Sequence, residues 1–413
     1  MNARPRGGGE PLRILYVSPS ATLGGAERSL LELIAGLPRD RYRPFLMLPR
    51  DGPLVAAGRD AGATVVVVPW PAGLLAIGRE RTWSNRLRPL VAPLMLPPVI
   101  ARILWQVKRL RIDIIHTNGT KTHLAAAPAA LLLRRPLVWH LRDILGPGAL
   151  LTTMRRLSRS IPDAVIANSR ATAASMGEGL GARVIYNGLD MVQFSPRPRD
   201  PSIRRDLGFP DDAFVIGALG ALAPLKGHIW LIRAMPAVLA AAPEARLMIV
   251  GEEMYDTAGH QGYRATLSQE IARLGLGDRV ALTGRRDDVV RQYAAMDVVV
   301  NSSVRPESFG RVLVEAMACG RPVISTNLGG PREILEDPGV GTLVPAEDPA
   351  ALATAILALQ ADPLLRRRVG ETGRTMVAER FAIGRHVEQV CRLYEDLTRS
   401  GPGPERARVD EAG

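Results

Sequence analysis

The sequence predicts an α/β protein built from two doubly wound parallel sheets. Short apolar runs rich in β-branched residues alternate with longer helical patterns along the chain. The alternation breaks once, at SPRPRDPSIRRDLGFPDD over residues 195–212, which carries four prolines and many charges. It then restarts and runs to the C-terminal region. Ligands in such sheets bind beyond the C-terminal ends of the strands, so a cleft between the two halves is the expected site.

The first half is predicted to contain strands at RILYVS (13–18), RPFLML (43–48), TVVVV (64–68), DIIHTN (113–118), PLVWHL (136–141), DAVIAN (163–168) and RVIYN (183–187). Helical patterns lie between most of them, among them AERSLLELIAGL (26–37) and THLAAAPAALLL (122–133). In the second half the strands are FVIGALG (214–220), RLMIVG (246–251), RVALTG (279–284), DVVVNSS (297–303), RPVIST (321–326) and GTLVP (341–345). The expected organisation is a first domain over 1–195, a linker over 196–212, and a second domain over 213–383. An amphipathic helix over 384–400 would pack back on the first domain, and 401–413 would form a disordered tail.

The 413 residues suit two or three domains, and 46% hydrophobic content supplies sizeable cores. The balance of 53 Lys and Arg against 41 Asp and Glu gives a net charge of +12, which favours anionic partners. No basic tract is interleaved with aromatics, so nucleic acid is not an expected partner. Two cysteines, Cys319 and Cys391, offer neither a disulfide framework nor zinc spacing, and they fit a reducing cytosol. MNARPRGGGEP lacks the apolar core of a signal peptide, and no apolar run of spanning length is free of charge.

Three loops carry candidate chemistry. After the first strand, Gly24-Gly25 precede a helix with Glu27 in its first turn. Glycines allow close approach to a ligand and a helix start favours an anion, although a plain βα turn reads the same way. After the first strand of the second half, Lys226-Gly227 opens a helix. A lysine there would pair with a diphosphate, or would simply be exposed near a helix end.

The third loop is the most specific. DVVVNSS runs into VRPESFG and then the helical GRVLVEAMACG. Glu307 lies in the loop, and Phe309 and Gly310 would present backbone N–H groups as an anion seat. Glu315 follows about one and a half turns on, at ~1.5 Å rise per residue, where its carboxylate suits a vicinal diol. Sugar, phosphate and ribose would thus be served in order, as in a sugar nucleotide. The competing reading is an i,i+4 pair of Arg311 and Glu315 on a solvated helix face.

The run ESFGRVLVEAMACGRPVISTNLGGPRE resembles the donor-site signature of retaining glycosyltransferases of family 4, which have the GT-B fold of two Rossmann-like domains facing each other across a cleft. GGAE, VIYNGLD and PLKG fall in the family's order, and the resemblance covers roughly residues 12–400. It implies that Lys226 binds the donor diphosphate, Glu307 the sugar hydroxyls and Glu315 the ribose, with Phe309 and Gly310 as backbone donors to phosphate. His140 resembles the family's histidine near the reacting centre, and Gly25 the loop glycine near the diphosphate. His140, Glu307 and Lys226 are then the expected catalytic residues.

One position departs from the family. Ala221 stands where the family usually has a diphosphate-binding arginine, and Arg285, Arg305 or Arg142 are candidate replacements. On the expected acceptor side, His116 and Asn118 end a strand as structural groups or as lining. Arg142 and Asp143 read equally as a local ion pair or an acceptor contact.

The resemblance implies a metal-independent, cofactor-free transferase. It would move a sugar from a nucleotide-diphosphate donor to a hydroxyl acceptor in the synthesis of polysaccharide, glycolipid or a glycosylated metabolite. No D-x-D run is present. The alternatives are a sugar-nucleotide epimerase of the same fold, a non-catalytic membrane scaffold, and a nicotinamide-linked oxidoreductase. The last lacks its glycine fingerprint here. Segment 82–111 joins an apolar stretch to basic ends and flanking Trp83 and Trp105. It would lie on an anionic membrane, bringing a lipid-linked acceptor to a cytoplasmic, peripherally bound enzyme, or pack on the sheet as core.

Overall fold

The computed structural model describes residues 10–76, 88–253 and 262–399. Two compact units divide them. The first takes the described residues up to Gly188 together with Ile383–Arg399, and the second takes Leu189–Ala382.

The first unit holds a seven-stranded sheet of β1 (Leu12–Val17), β2 (Tyr42–Leu48), β3 (Thr64–Val67), β4 (Ile114–Thr117), β5 (Leu137–Leu141), β6 (Ala164–Ala167) and β7 (Arg183–Val184), in the order β3-β2-β1-β4-β5-β6-β7. All neighbours pair in parallel. The inner strands β4 and β5 are buried on both faces, as parallel sheets require, whereas the edge strands β3 and β7 are partly exposed. Along β1, Leu15 and Val17 join one core with Val99, Ile103, Ala126 and Trp139, whereas Ile14 and Tyr16 join the other with Leu30, Leu33, Val390 and Tyr394. The helix Ile383–Arg399 therefore covers the first sheet. Each buried aliphatic side chain contributes about 1.5–3 kcal/mol.

The second unit holds a six-stranded parallel sheet of β8 (Val215–Leu219), β9 (Arg246–Val250), β10 (Val280–Gly284), β11 (Val298–Asn301), β12 (Val323–Thr326) and β13 (Thr342–Val344), in the order β10-β9-β8-β11-β12-β13. Strand order reverses between β1 and β4 in the first sheet and between β8 and β11 in the second. These are the switch points at which ligands of such sheets bind.

Residues 196–212, expected as a linker, carry the helix Pro201–Asp206 and belong to the second unit. Most of their charges are exposed, but one points inward. Arg204 is buried and donates to the Ala213 carbonyl at 2.7 Å, to the Ala295 carbonyl at 3.0 Å and to Asp297 Oδ2 at 2.8 Å. The same Asp297 oxygen accepts the Val215 N–H at 2.8 Å, so the segment is tied to the start of β8.

In segment 82–111, Trp83 and the residues up to 87 lie outside the described residues, and Arg88–Arg109 is one helix. Val99, Ile103 and Val107 are buried in the first unit's core, with Leu96 packed against it. That face is core, as one of the two readings required. Trp105 is exposed, with the Arg109 guanidinium 4.9 Å from its ring centroid. Among the described residues no helix is long and apolar enough to cross a membrane.

Candidate active site

In the second unit, glycines bring the functional loops together. The turn Pro224–Lys226 ends at Gly227, whose φ is +64°, and a Cβ there would lie 2.0 Å from the Ser302 carbonyl oxygen. Only glycine lets this turn press onto the end of β11. Val304 N–H donates to the Leu225 carbonyl at 2.9 Å, and Ser302 Oγ donates to the Lys226 carbonyl at 3.1 Å. From the other side, Gly329 and Gly330 pack beneath the loop carrying Glu307. A Cβ on Gly329 would meet the Glu307 carbonyl at 2.3 Å, and one on Gly330 the Phe309 carbonyl at 2.4 Å.

This packing sets Lys226 Nζ 2.5 Å from Glu307 Oε1. Ser303 Oγ donates to the same oxygen at 2.5 Å, and Asn301 Oδ1 orients Ser303 by accepting its N–H at 3.3 Å. Burial alone would raise the Glu307 carboxyl. The Lys226 ammonium, with hydrogen bonds from Lys226 and Ser303, outweighs it and holds the group below its ordinary value. Glu307 is thus an oriented carboxylate with acceptor capacity left on its second oxygen.

Phe309 is buried edge-on against Phe381, with ring centroids 5.5 Å apart. Gly310, at φ +107°, starts the helix Arg311–Ala318. Glu315 is buried one turn in. Arg311 Nε donates to its Oε1 at 2.6 Å and Tyr293 Oη to its Oε2 at 2.9 Å. The Arg311–Glu315 pair exists, but its side chains are only 13% and 10% exposed, so it does not lie on a solvated face. The carboxylate keeps a further lone pair on each oxygen for a diol.

Ala221 is buried beside the loop after β9, where a Cβ on Gly251 would meet the Gly220 carbonyl at 1.8 Å. Of the cations considered as substitutes for an arginine there, Arg285 is engaged by Asp287 at 3.3 Å and Glu252 at 3.7 Å. Arg305 is exposed on the loop that leads to Glu307. Arg142 belongs to the first unit.

That unit gathers a second polar group at its own switch point. Gly25 is exposed at the start of the helix Gly25–Gly36, and the Gly24 N–H donates to Glu27 Oε2 at 3.2 Å. Arg142, buried at the end of β5, donates through Nε to Asn118 Oδ1 at 2.6 Å and through Nη1 to Asn187 Oδ1 at 2.5 Å. Its Nη2 lies 3.4 Å from His140 Nδ1. Asp143 is exposed. His140 Nδ1 also lies 3.1 Å from His116 Nε2, and His116 Nδ1 lies 2.7 Å from Tyr394 Oη. Burial, reinforced by the Arg142 charge, pushes both imidazoles well below their ordinary value, so both are neutral.

Lys226, Glu307, Phe309, Gly310 and Glu315 therefore share one region of the second unit. His116, Asn118, His140, Arg142, Asp143 and Gly25 lie on the first. Sequence reasoning missed Ser303, Asn301 and Tyr293, which orient the two glutamates, and Tyr394 on the C-terminal helix. Asn187, in an Asn-Gly pair, holds the Arg142 guanidinium.

A fold of two doubly wound parallel sheets, with a lysine–carboxylate pair and a second glutamate eight residues on at the second switch point, is the arrangement that the sequence resemblance implied. The comparisons agree. The model of glycosyl transferases group 1 matches residues 199–376, and that of glycosyltransferase family 4 matches residues 23–193. The chain belongs to glycosyltransferase family 4 and has its GT-B fold.

A solved structure of Anabaena Alr3699/HepE in complex with UDP-glucose is similar, with a TM-score of 0.80 at 30% identity over 94% of this chain and 100% of that one. The D-inositol 3-phosphate glycosyltransferase of Segniliparus rotundus is 30% identical over 72% of this chain and 64% of its own length. The lipopolysaccharide core biosynthesis mannosyltransferase LpsB of Rhizobium meliloti is 28% identical over 57% of this chain and 66% of its own. The chain spans just under two thirds of the length of these two curated relatives.

Proposed function

We propose that this protein is a retaining glycosyltransferase that moves a sugar from a nucleotide-diphosphate donor to a hydroxyl acceptor in the synthesis of a cell-surface polysaccharide, glycolipid or glycosylated metabolite. The observation that carries the reading is the Lys226–Glu307 pair, held at 2.5 Å at the second switch point beside the start of the helix Arg311–Ala318. Similarity to a protein solved with UDP-glucose, and to enzymes named for sugar transfer to inositol phosphate and lipopolysaccharide core, supports it.

In this reading Glu315 takes the ribose diol and Glu307 the hydroxyls of the transferred sugar. As the bond from the anomeric carbon to the diphosphate breaks, positive charge grows on the sugar and negative charge on the leaving group. Lys226 and the backbone N–H groups around Phe309 and Gly310 stabilise the departing oxygens in a site fixed beforehand. Ala221 supplies no charge here, so Lys226 carries more of this work, with Arg305 the nearest uncommitted guanidinium in sequence to Glu307. The neutral His140 serves as a hydrogen-bond donor to the reacting sugar, and His116, Asn118, Arg142 and Asp143 form the acceptor side.

The acceptor is lipid-linked in this reading, and the exposed Trp105 with its stacked Arg109 rests on the anionic inner face of the plasma membrane. The test of the reaction is incubation with uridine-, guanosine- and adenosine-diphosphate sugars and a sugar or lipid acceptor, with the anomeric proton of the product followed by NMR. Product with the donor's anomeric configuration supports the proposal. Inverted product, or epimerised donor formed without an acceptor, contradicts it.

A further inference from the structure

Strands β1, β4 and β5 and the C-terminal helix enclose an unbroken polar chain. Tyr16 Oη lies 3.0 Å from Tyr394 Oη, Tyr394 Oη 2.7 Å from His116 Nδ1, and His116 Nε2 3.1 Å from His140 Nδ1. All four side chains are fully buried. The chain can run in two directions, and the atoms around it select one.

A guanidinium N–H only donates, so Arg142 Nη2, at 3.4 Å, calls for a bare His140 Nδ1. The hydrogen of neutral His140 is then on Nε2. His116 must donate through Nε2 and accept at Nδ1, so Tyr394 donates to it and accepts from Tyr16. The opposite direction would set a His140 Nδ1–H against the Arg142 N–H and send the Tyr16 hydroxyl hydrogen to no partner in the chain. The selected direction leaves His140 Nε2–H as its one open end, and that atom is buried without a partner among the described residues. Leaving a buried donor unpaired is destabilising, and a ligand oxygen would recover that loss.

We infer that His116 and Tyr394 are positioning residues that hold His140 as the Nε2–H tautomer, aimed as a hydrogen-bond donor at a substrate oxygen and unable to act there as a base. This rests on the reading of His140 as a group that touches the reacting sugar. The C-terminal helix thereby enters the chemistry of a strand end that its sequence position would not reveal.

Two measurements on the full chain test it. Two-bond proton–nitrogen correlation NMR reads the tautomers directly. Nε2 protonation of both His116 and His140 is expected, and an Nδ1-protonated His140 would overturn the inference. Tyr394→Phe keeps the ring and removes only the hydroxyl. It should lower kcat about tenfold with the donor KM little changed, because alignment and not binding is lost. In a His140→Ala background the same change should have no further effect. An equal factor in both backgrounds, or a Tyr394→Phe kcat within twofold of wild type, would overturn the positioning role. If His140→Ala itself leaves kcat within twofold, the reading of His140 fails, which is a separate result. If that background is too slow to measure, the His140 resonances decide: Tyr394→Phe should move them and leave those of His228 in place, and unmoved His140 resonances count against the inference.

Discussion

Lys226 Nζ sits 2.5 Å from Glu307 Oε1 across 81 residues of chain. The pair exists because Gly227 lets the lysine's turn dock on the end of β11, while Gly329 and Gly330 support the glutamate's loop from beneath. In the proposed reading a substrate diphosphate shares this lysine with the carboxylate, so the two charges act as one unit.

Replacing Lys226 by alanine strands a mostly buried carboxylate and, in the proposed reading, removes a cation from the leaving group. Loss of a single positioned electrostatic donor costs about 100- to 1,000-fold in kcat, and turnover should fall at least that far. The melting temperature should fall as well, because Glu307 loses its partner. Gly227→Ala should mimic the defect without touching a charge, since its Cβ would displace the turn. Steady-state kinetics and calorimetry check both. A Gly227→Ala protein with wild-type turnover would show that the turn does not position Lys226.

Glu315→Gln should weaken donor binding more than turnover, because a diol contact is equal in ground and transition states. The amide also sets an NH2 group against Arg311 or Tyr293, both donors to the native carboxylate. The donor KM should rise about tenfold, the equivalent of one lost hydrogen bond to a charged group. A fixed KM with reduced kcat would remove Glu315 from the ribose site.

Five of the six histidines are buried in the described residues and held neutral. His116 and His140 are pushed well below the ordinary value, His228 and His386 to about 4, and His123 to about 3. Burial is the main cause, with Arg142 adding to it for His116, His140 and His386, and Lys226 for His228. The unfolded chain protonates them near pH 6.5. Below that pH it binds more protons than the fold, so stability is full above about 6.5 and falls as the solution is acidified towards the folded values. Each such group costs about 2 kcal/mol by pH 5, at 1.4 kcal/mol per pH unit. Melting temperatures should drop steeply between pH 6.5 and 5, and a flat profile would contradict the buried neutral assignment.

Much of this was legible in sequence. All thirteen strands were marked by short apolar runs, because inner strands buried on both faces must be almost wholly apolar. The Glu307 and Glu315 pattern was visible because loop, helix start and next strand are contiguous. Contacts distant along the chain were not legible. Tyr394 meets His116 across 278 residues, and nothing in its amphipathic helix distinguishes a hydroxyl that bonds an imidazole from one that faces water. The 196–212 segment misled because prolines and charges are the usual marks of a linker, whereas Arg204 directs its charge inside, onto Asp297 and three backbone carbonyls.

The membrane reading rests on a smaller surface than the sequence implied, since one face of the helix Arg88–Arg109 is core. Trp105 and, on the helix Thr120–Leu133, Leu132 remain exposed. Co-sedimentation should show binding to anionic vesicles that weakens with salt and falls on Trp105→Ser in a folded protein. No binding at low salt would favour a soluble acceptor.

The central claim is that the second unit's Lys226, Glu307 and Glu315 hold a nucleotide-diphosphate sugar. Isothermal titration with UDP, GDP, ADP and TDP and their sugars tests it most directly. At least one should bind with a Kd of about 1 μM to 1 mM, the range usual for enzyme substrates, and at least tenfold more weakly to Lys226→Ala and Glu315→Gln. No binding by any of them to the folded protein, or undiminished binding to both variants, would contradict it.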